Sequence, residues 1–230
     1  MLRYYQRAGD TLSDKLHIVG CAAGSEGNAS RELAVAAGFR YVERPNFPLS
    51  DKWNAAVTEL GDADAVVILG SDDWISHPTL TTYARLVADG VEYIGLRDQF
   101  FLDARTRECL KFAGYKGKRR TEPVGVGRCL SRSLLARLGG SPWDSGLRKG
   151  LDGNMTKRLR ALTSPPRSHV VSMKAMGSGV CALDIKTETN IWGLRELRPI
   201  CVESRQWTAT QHFARQDREE LDAAMKIASA

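Results

Sequence analysis

The stretch Ala65-Val66-Val67-Ile68-Leu69-Gly70-Ser71-Asp72-Asp73-Trp74 constrains the fold more than any other part of the chain. An apolar run rises to Gly70 and breaks at once into two adjacent carboxylates and an indole. Such a run, bounded by turn signals, reads as a strand buried on both faces. Ligands of open α/β sheets collect beyond the carboxyl ends of their strands, which places Asp72 and Asp73 in a crevice. Two adjacent carboxylates repel, and a divalent cation relieves that cost. A solvated acidic loop accounts for the same spacing, and both readings stand.

The flanking sequence repeats a helix–strand rhythm. A helix over Leu2 to Ala8 precedes a strand over Lys15 to Gly20. A helix over Arg31 to Ala37, capped by Asn28 or Ser30, precedes a strand over Arg40 to Glu43. Ser50 caps a helix over Asp51 to Leu60. Beyond the central run come a helix over Thr79 to Ala88 and a strand over Glu92 to Leu96. This alternation indicates βαβ units and a mostly parallel sheet flanked by helices. The rhythm then changes. Gln99 to Asp103 and Glu108 to Phe112 read as a small antiparallel hairpin, and Lys116 to Arg120 as a basic loop. Helices are expected over Arg132 to Leu138, Asn154 to Leu162 and Gln211 to Ile227, with a strand over Val170 to Met176. Asn190-Ile191-Trp192 reads as punctuation. With no internal repeat or linker, residues 1–230 read as one domain: a nucleotide-binding part to about residue 98, then an acceptor-side part.

With 230 residues and 43% hydrophobic content, a sizeable core is available. No apolar run is long enough to span a bilayer, and Met1-Leu2-Arg3-Tyr4-Tyr5 does not read as a secretory signal. Cys21, Cys109, Cys129, Cys181 and Cys201 lie far apart with no Cys-x-x-Cys pair. That argues for a reducing cytoplasm rather than a disulfide framework or a zinc site. Sixteen Lys and Arg stand against four Asp and Glu between Arg105 and Arg167, while the whole chain carries only +6. A basic middle on an acidic body suits an anionic ligand such as a nucleotide diphosphate, a nucleic acid or a phosphorylated glycan. A solvated, solubilising surface explains it equally.

Taken together, these residues resemble the family 2 glycosyltransferases of the GT-A fold, from about Lys15 to Leu162. Asn46-Phe-Pro-Leu-Ser-Asp-Lys-Trp-Asn54 is similar to the family's segment leading into a helix beside the donor. Gly70-Ser71-Asp72-Asp73 is similar to its Asp-x-Asp metal motif. Gly125 to Arg128 resembles the glycine turn flanking the donor sugar, and Gly150-Leu151-Asp152 the acidic motif that carries the catalytic base. The resemblance implies Asp152 as base and Mn²⁺ or Mg²⁺ on Asp72 with Asp73. It places Asn46, Lys52, Asn54, Ser71, Asp72, Arg120, Gly127 and Arg128 at a nucleotide-sugar donor. Lys118 and Arg119 are further cations for its phosphates. Trp74, Trp143, Asp184, Lys186 and Asn190 fall on the acceptor side.

The chain departs from the family in three places. Gly70 stands where the first Asp of the metal motif is usual. Cys21-Ala22-Ala23-Gly24-Ser25 lacks the Asp that reads uracil. The first, central strand is missing, and the chain opens in what resembles the helix after it. An upstream start, a truncation and a replacement segment are the three explanations.

The implied activity is metal-dependent, inverting transfer of a sugar from a nucleotide sugar to a hydroxyl. The acceptor stays open: a hydroxymethylated base in DNA, as in phage, is one option, and a surface glycan or lipid-linked acceptor the other. Two rivals accompany it: a non-catalytic binding module of the same fold, and a nucleotidyltransferase. Single residues have plainer readings too. Asp152 can cap a helix, worth about 1 kcal/mol, Asn54 can satisfy local backbone, and either tryptophan can belong to the core.

Overall fold

A computed structural model describes residues 1–173, 179–188 and 193–228. The first part of the chain keeps the helix–strand rhythm. α1 (Leu2–Thr11) leads to β1 (Cys21–Gly24), α2 (Asn28–Ala36) to β2 (Arg40–Glu43), and α3 (Leu49–Glu59) to β3 (Ala65–Ile68). β1 and β2 pair in parallel, with Cys21 opposite Arg40. β4 (Asp73–Ile75), α4 (His77–Ala88) and β5 (Tyr93–Leu96) follow. Pro78 lies in the first turn of α4, where a missing N–H leaves no helical bond unmade.

β6 (Gln99–Asp103) and β7 (Cys109–Phe112) form the expected antiparallel hairpin. Then come β8 (Arg128–Ser131), α5 (Arg132–Arg137), α6 (Leu151–Arg160), β9 (Ser168–Val171) and β10 (Ala182–Lys186). α7 (Leu194–Leu197), β11 (Val202–Ser204), α8 (Gln206–Thr210) and α9 (Arg215–Ala228) complete the described elements. The Ser131 hydroxyl accepts from the Leu134 amide and caps α5. Ser50 does not cap α3. It is buried and exchanges bonds with Leu147, accepting from its amide at 2.9 Å.

The expected mostly parallel sheet is corrected to mixed sheets. Among the described residues three form, in the orders β1-β2, β3-β8-β5-β9 and β11-β7-β6-β10-β4. Of eight strand pairings three are parallel and five antiparallel. β8 enters antiparallel between β3 and β5, and β10 runs between β6 and β4. Both inserted strands carry buried charges (Arg128, Asp184 and Lys186), which disguised them as loops. The strand expected over Lys15 to Gly20 forms instead at Cys21–Gly24, where β2 supplies a partner. That expected over Val170 to Met176 forms at Ser168–Val171 beside β5, and residues 174–178 lie outside the described set.

β1 and β3 each end their sheet. Between them lies a cavity of about 2470 Å³, lined by every residue of both strands. β3 is therefore not buried on both faces. Val66 and Ile68 are buried beside Trp143 and Met155, whereas Ala65 and Val67 are half-buried toward the main core. That core gathers Tyr4 and Tyr5 of α1, Trp74, the β6 and β10 side chains, and Leu221 and Met225 of α9.

Candidate functional site

The turn after β3 is closed from both sides. The Asp73 amide donates to the Gly70 carbonyl at 3.2 Å, and the Gly70 amide donates to Asp73 Oδ2 at 2.6 Å. Gly70 has no room for a side chain. A Cβ there would stand 2.6 Å from Asp72 Oδ1 and 3.0 Å from Asp73 Oδ2. The carboxylates thus crowd a notch that any larger residue, including the family's Asp, would fill.

β10 brings further charges to this turn. Asp184 pairs with Asp73 across the antiparallel ladder, and the Ile185 amide donates to the Asp72 carbonyl at 2.9 Å. Lys186 Nζ lies 2.8 Å from Asp184 Oδ2 and over the Phe101 ring at 5.3 Å. Asp184 Oδ1 is buried without a hydrogen-bond partner. Burial, then the charges of Asp184 and Asp72, hold the Asp73 carboxyl well above the usual carboxylate range. Burial likewise pushes Asp184 up to about 6, with Lys186 opposing.

One group of expected donor residues shares the large cavity. Asn46, Lys52, Ser71 and Asp72 line it, and so does Lys186. Lys52 Nζ donates to Asn46 Oδ1 at 2.7 Å, and the Ser25 hydroxyl donates to the same oxygen at 3.0 Å. Asn54 is elsewhere. Its amide nitrogen donates to the Trp143 carbonyl at 2.9 Å, and its oxygen accepts from the Trp143 amide at 3.3 Å. It ties α3 to the 143 loop, so the backbone it satisfies is distant rather than local.

Asp152 lines a second, smaller cavity of about 520 Å³ with Tyr115, Arg119, Glu122, Lys157 and Arg160. It does not cap α6; Gly150 holds that position with φ 76°, and no side chain bonds the helix start. Its carboxylate meets the Arg128 guanidinium at 3.1 Å. Arg128 itself is buried, donating to the Val124 carbonyl at 3.0 Å and the Pro123 carbonyl at 3.1 Å. The guanidinium clamps the 123–127 loop onto α6 and is not among the lining residues of either cavity. Gly127 (φ 68°) donates to the Ile68 carbonyl at 3.0 Å and so joins β8 to the end of β3. Arg120 and Lys118 are exposed on the basic loop, and Arg119 stacks over Tyr115 at 3.8 Å.

Both tryptophans lie in the core clusters, the plainer of the two readings that the sequence left open. Trp74 is buried, stacked on Tyr4 with ring centroids 4.4 Å apart and edge-on to Phe213. Trp143 is buried in the second cluster and donates to the Leu151 carbonyl at 3.1 Å. Asn190 lies outside the described residues. Among those described, no three His, Cys, Asp or Glu side chains gather to hold a metal. All five thiols are unpaired, and burial raises each of them, which disfavours a cysteine nucleophile.

Sequence reasoning missed Tyr115, Lys157 and Arg160 as neighbours of Asp152. The spacing of Asp152, Thr156 and Arg160, four apart on one helix, was the available signal. No family model matches the chain, and a comparison with curated proteins also finds no match.

Proposed function

We propose that this chain is a metal-dependent, inverting glycosyltransferase of the GT-A type, taking a nucleotide-sugar donor. The observation that carries the reading is the grouping of Asp72, Lys186, Lys52 and Asn46 on one cavity at the end of β3. Ligands of α/β folds bind at such strand ends. Asp72, which lines the large cavity, would hold Mn²⁺ or Mg²⁺ on that side of the turn, and a bound cation would stabilise a departing diphosphate as a Lewis acid. Asp73 is committed to the turn through Gly70 and supports Asp72 rather than the ion. Lys52 and Lys186 orient the phosphates by charge.

Asp152 is the base in this reading, accepting the proton of the acceptor hydroxyl. The lining of its cavity carries an excess of one positive charge, Arg119, Lys157 and Arg160 against Glu122 and Asp152, with Glu122 pairing both arginines, and that small excess favours an anionic acceptor, a nucleic acid or a phosphorylated glycan. Among the described residues, no helix is long and apolar enough to cross a membrane.

The test is incubation with nucleotide sugars, Mn²⁺ and candidate acceptors. Release of nucleoside diphosphate that is abolished in Asp152→Asn is the expected result. Release of pyrophosphate instead would identify a nucleotidyltransferase. One observation favours the binding-module reading: Asp72 and Asp152 line separate cavities, and Asp152 is ion-paired to Arg128. Donor binding without turnover is its expected outcome.

A further inference from the structure

The basic loop of residues 116–120 borders the smaller cavity, which Tyr115 and Arg119 line together with α6. The loop is anchored at its far end, where the Arg97 guanidinium donates to the Arg120 carbonyl at 2.9 Å. Lys116, Lys118 and Arg120 are exposed on it. Lys149, next to the lining Gly150, and Lys157 of α6 are exposed on the facing wall. Among the described residues, none of these five cations forms an ion pair with a carboxylate. The acids nearby are already engaged: Glu122 meets both Arg119 and Arg160, and Asp152 meets the buried Arg128. Cations gathered without counter-charge attract a partner that carries several anionic groups. Lys149 and Lys157 flank the first two turns of α6, a rise of about 9 Å. One phosphate does not bridge that span, whereas a phosphodiester chain does.

Arg119 identifies the kind of chain. Its guanidinium lies over the Tyr115 ring at 3.8 Å and meets Glu122 at 2.7 Å, and Phe112 packs edge-on against Tyr115 at 5.3 Å. The side chain is nevertheless 49% exposed. A flat cation backed by an aromatic ring offers its outer face to a second planar ring. Nucleobases stack on guanidinium planes in this way, and a phosphorylated glycan has no ring to place there. A duplex keeps its base faces stacked inside, so the platform favours unpaired bases. We propose that this surface binds single-stranded nucleic acid, with the five unpaired cations on its phosphates and one base stacked on Arg119 beside Asp152. The inference rests on the proposed reading in taking the Asp152 side as the acceptor side.

The experiment is fluorescence anisotropy of the full chain with a labelled single-stranded DNA of about 12 nucleotides. It is run without nucleotide sugar or Mn²⁺, so failure of binding and failure of sugar transfer are told apart. Single strands lose affinity with a log–log salt slope of about −0.7 per phosphate neutralised. Five contacts predict a slope of about −3.5, a loss of about 100-fold between roughly 50 and 200 mM salt. Lys116→Ser/Lys118→Ser/Arg120→Ser should make the slope shallower by about 2. Arg31→Ser/Arg85→Ser/Arg215→Ser, which removes as many exposed cations from α2, α4 and α9, should leave it unchanged. Arg119→Lys keeps the charge and loses the plane, so it should weaken single-strand binding at least about 5-fold at the same slope. Heparin binding by that variant should not change. Each variant is checked for wild-type melting first. No salt-dependent binding by the wild type overturns the proposal, as does an equal loss in the α2, α4 and α9 variant. Wild-type affinity in Arg119→Lys, or tighter binding of the duplex of the same sequence, overturns the single-strand assignment.

Discussion

Asp73 and Asp184 face one another across the β4–β10 ladder, and both carboxyls are buried. Each is held above its ordinary range, Asp184 at about 6 from a usual 3.8. A carboxyl raised on folding binds protons more tightly in the native state. Its favourable contribution is complete below pH ~4 and is lost as pH rises through about 6. Urea unfolding from pH 4 to 8 should therefore show a stability loss over that window. Asp184→Asn should flatten it, while lowering stability overall by leaving Lys186 without its partner. An unchanged slope in that variant would contradict the assignment.

Gly70 offers a way to displace Asp72 without removing it. In Gly70→Ala the new methyl meets the far end of a flexible side chain, Asp72 Oδ1 at 2.6 Å. It also meets Asp73 Oδ2 at 3.0 Å, which the Gly70 amide holds, so the fold should survive at a cost of about 1–3 kcal/mol. Donor binding in the presence of Mn²⁺ should weaken at least ~10-fold, measured by calorimetry.

The Arg128–Asp152 pair separates structure from chemistry. Losing the half-exposed Asp152 partner of a buried guanidinium should cost about 1–3 kcal/mol. Asp152→Asn should melt earlier by several degrees whatever its role. If Asp152 is also the base, transfer falls by ~10²–10⁴ at temperatures where the variant is fully folded. Arg128→Met should lose stability at least as much, because it also unties the Pro123 and Val124 carbonyls.

Tyr5 closes the free edge of β4. Its hydroxyl donates to the Asp73 carbonyl at 3.1 Å and accepts from the Ile75 amide at 3.0 Å. Tyr5→Phe should cost about 1–3 kcal/mol, since it leaves buried backbone groups unpaired. Trp74→Ala should cost about 3–5 kcal/mol as a core truncation. A Trp74 variant with unchanged melting and altered acceptor affinity would restore that residue to the acceptor side.

Much of the helix–strand order was legible because residues 28–96 alternate apolar runs with glycine and proline stops, although α2, α3 and α4 take no side-chain cap, neither Asn28 nor Ser30 capping α2. The β6–β7 hairpin was legible for the same reason. β8 and β10 were not, because burying Arg128, Asp184 and Lys186 needs partners from distant elements that no local pattern announces. The crowding of carboxylates at the turn from Gly70 to Asp73 was legible. Its internal division of labour was not: the Gly70 amide alone turns Asp73 inward. Trp74 and Trp143 stayed ambiguous because an aromatic beside a charged turn reads alike whether it faces ligand or core. Only Tyr4 and Asn54, 70 and 89 residues away, decide the matter.

The central claim is that Asp72 anchors a cation-assisted donor in the large cavity. Thermal unfolding of the wild-type chain and Asp72→Asn, with a panel of nucleotide sugars and with or without Mn²⁺, tests it directly. At donor about 100-fold above Kd, ligand linkage stabilises by about 2.7 kcal/mol, a shift of about 5–10 °C. The wild type should show that shift with at least one donor only when Mn²⁺ is present, and Asp72→Asn should lose it while melting normally alone. No shift with any donor, or the same shift in Asp72→Asn, would contradict the account.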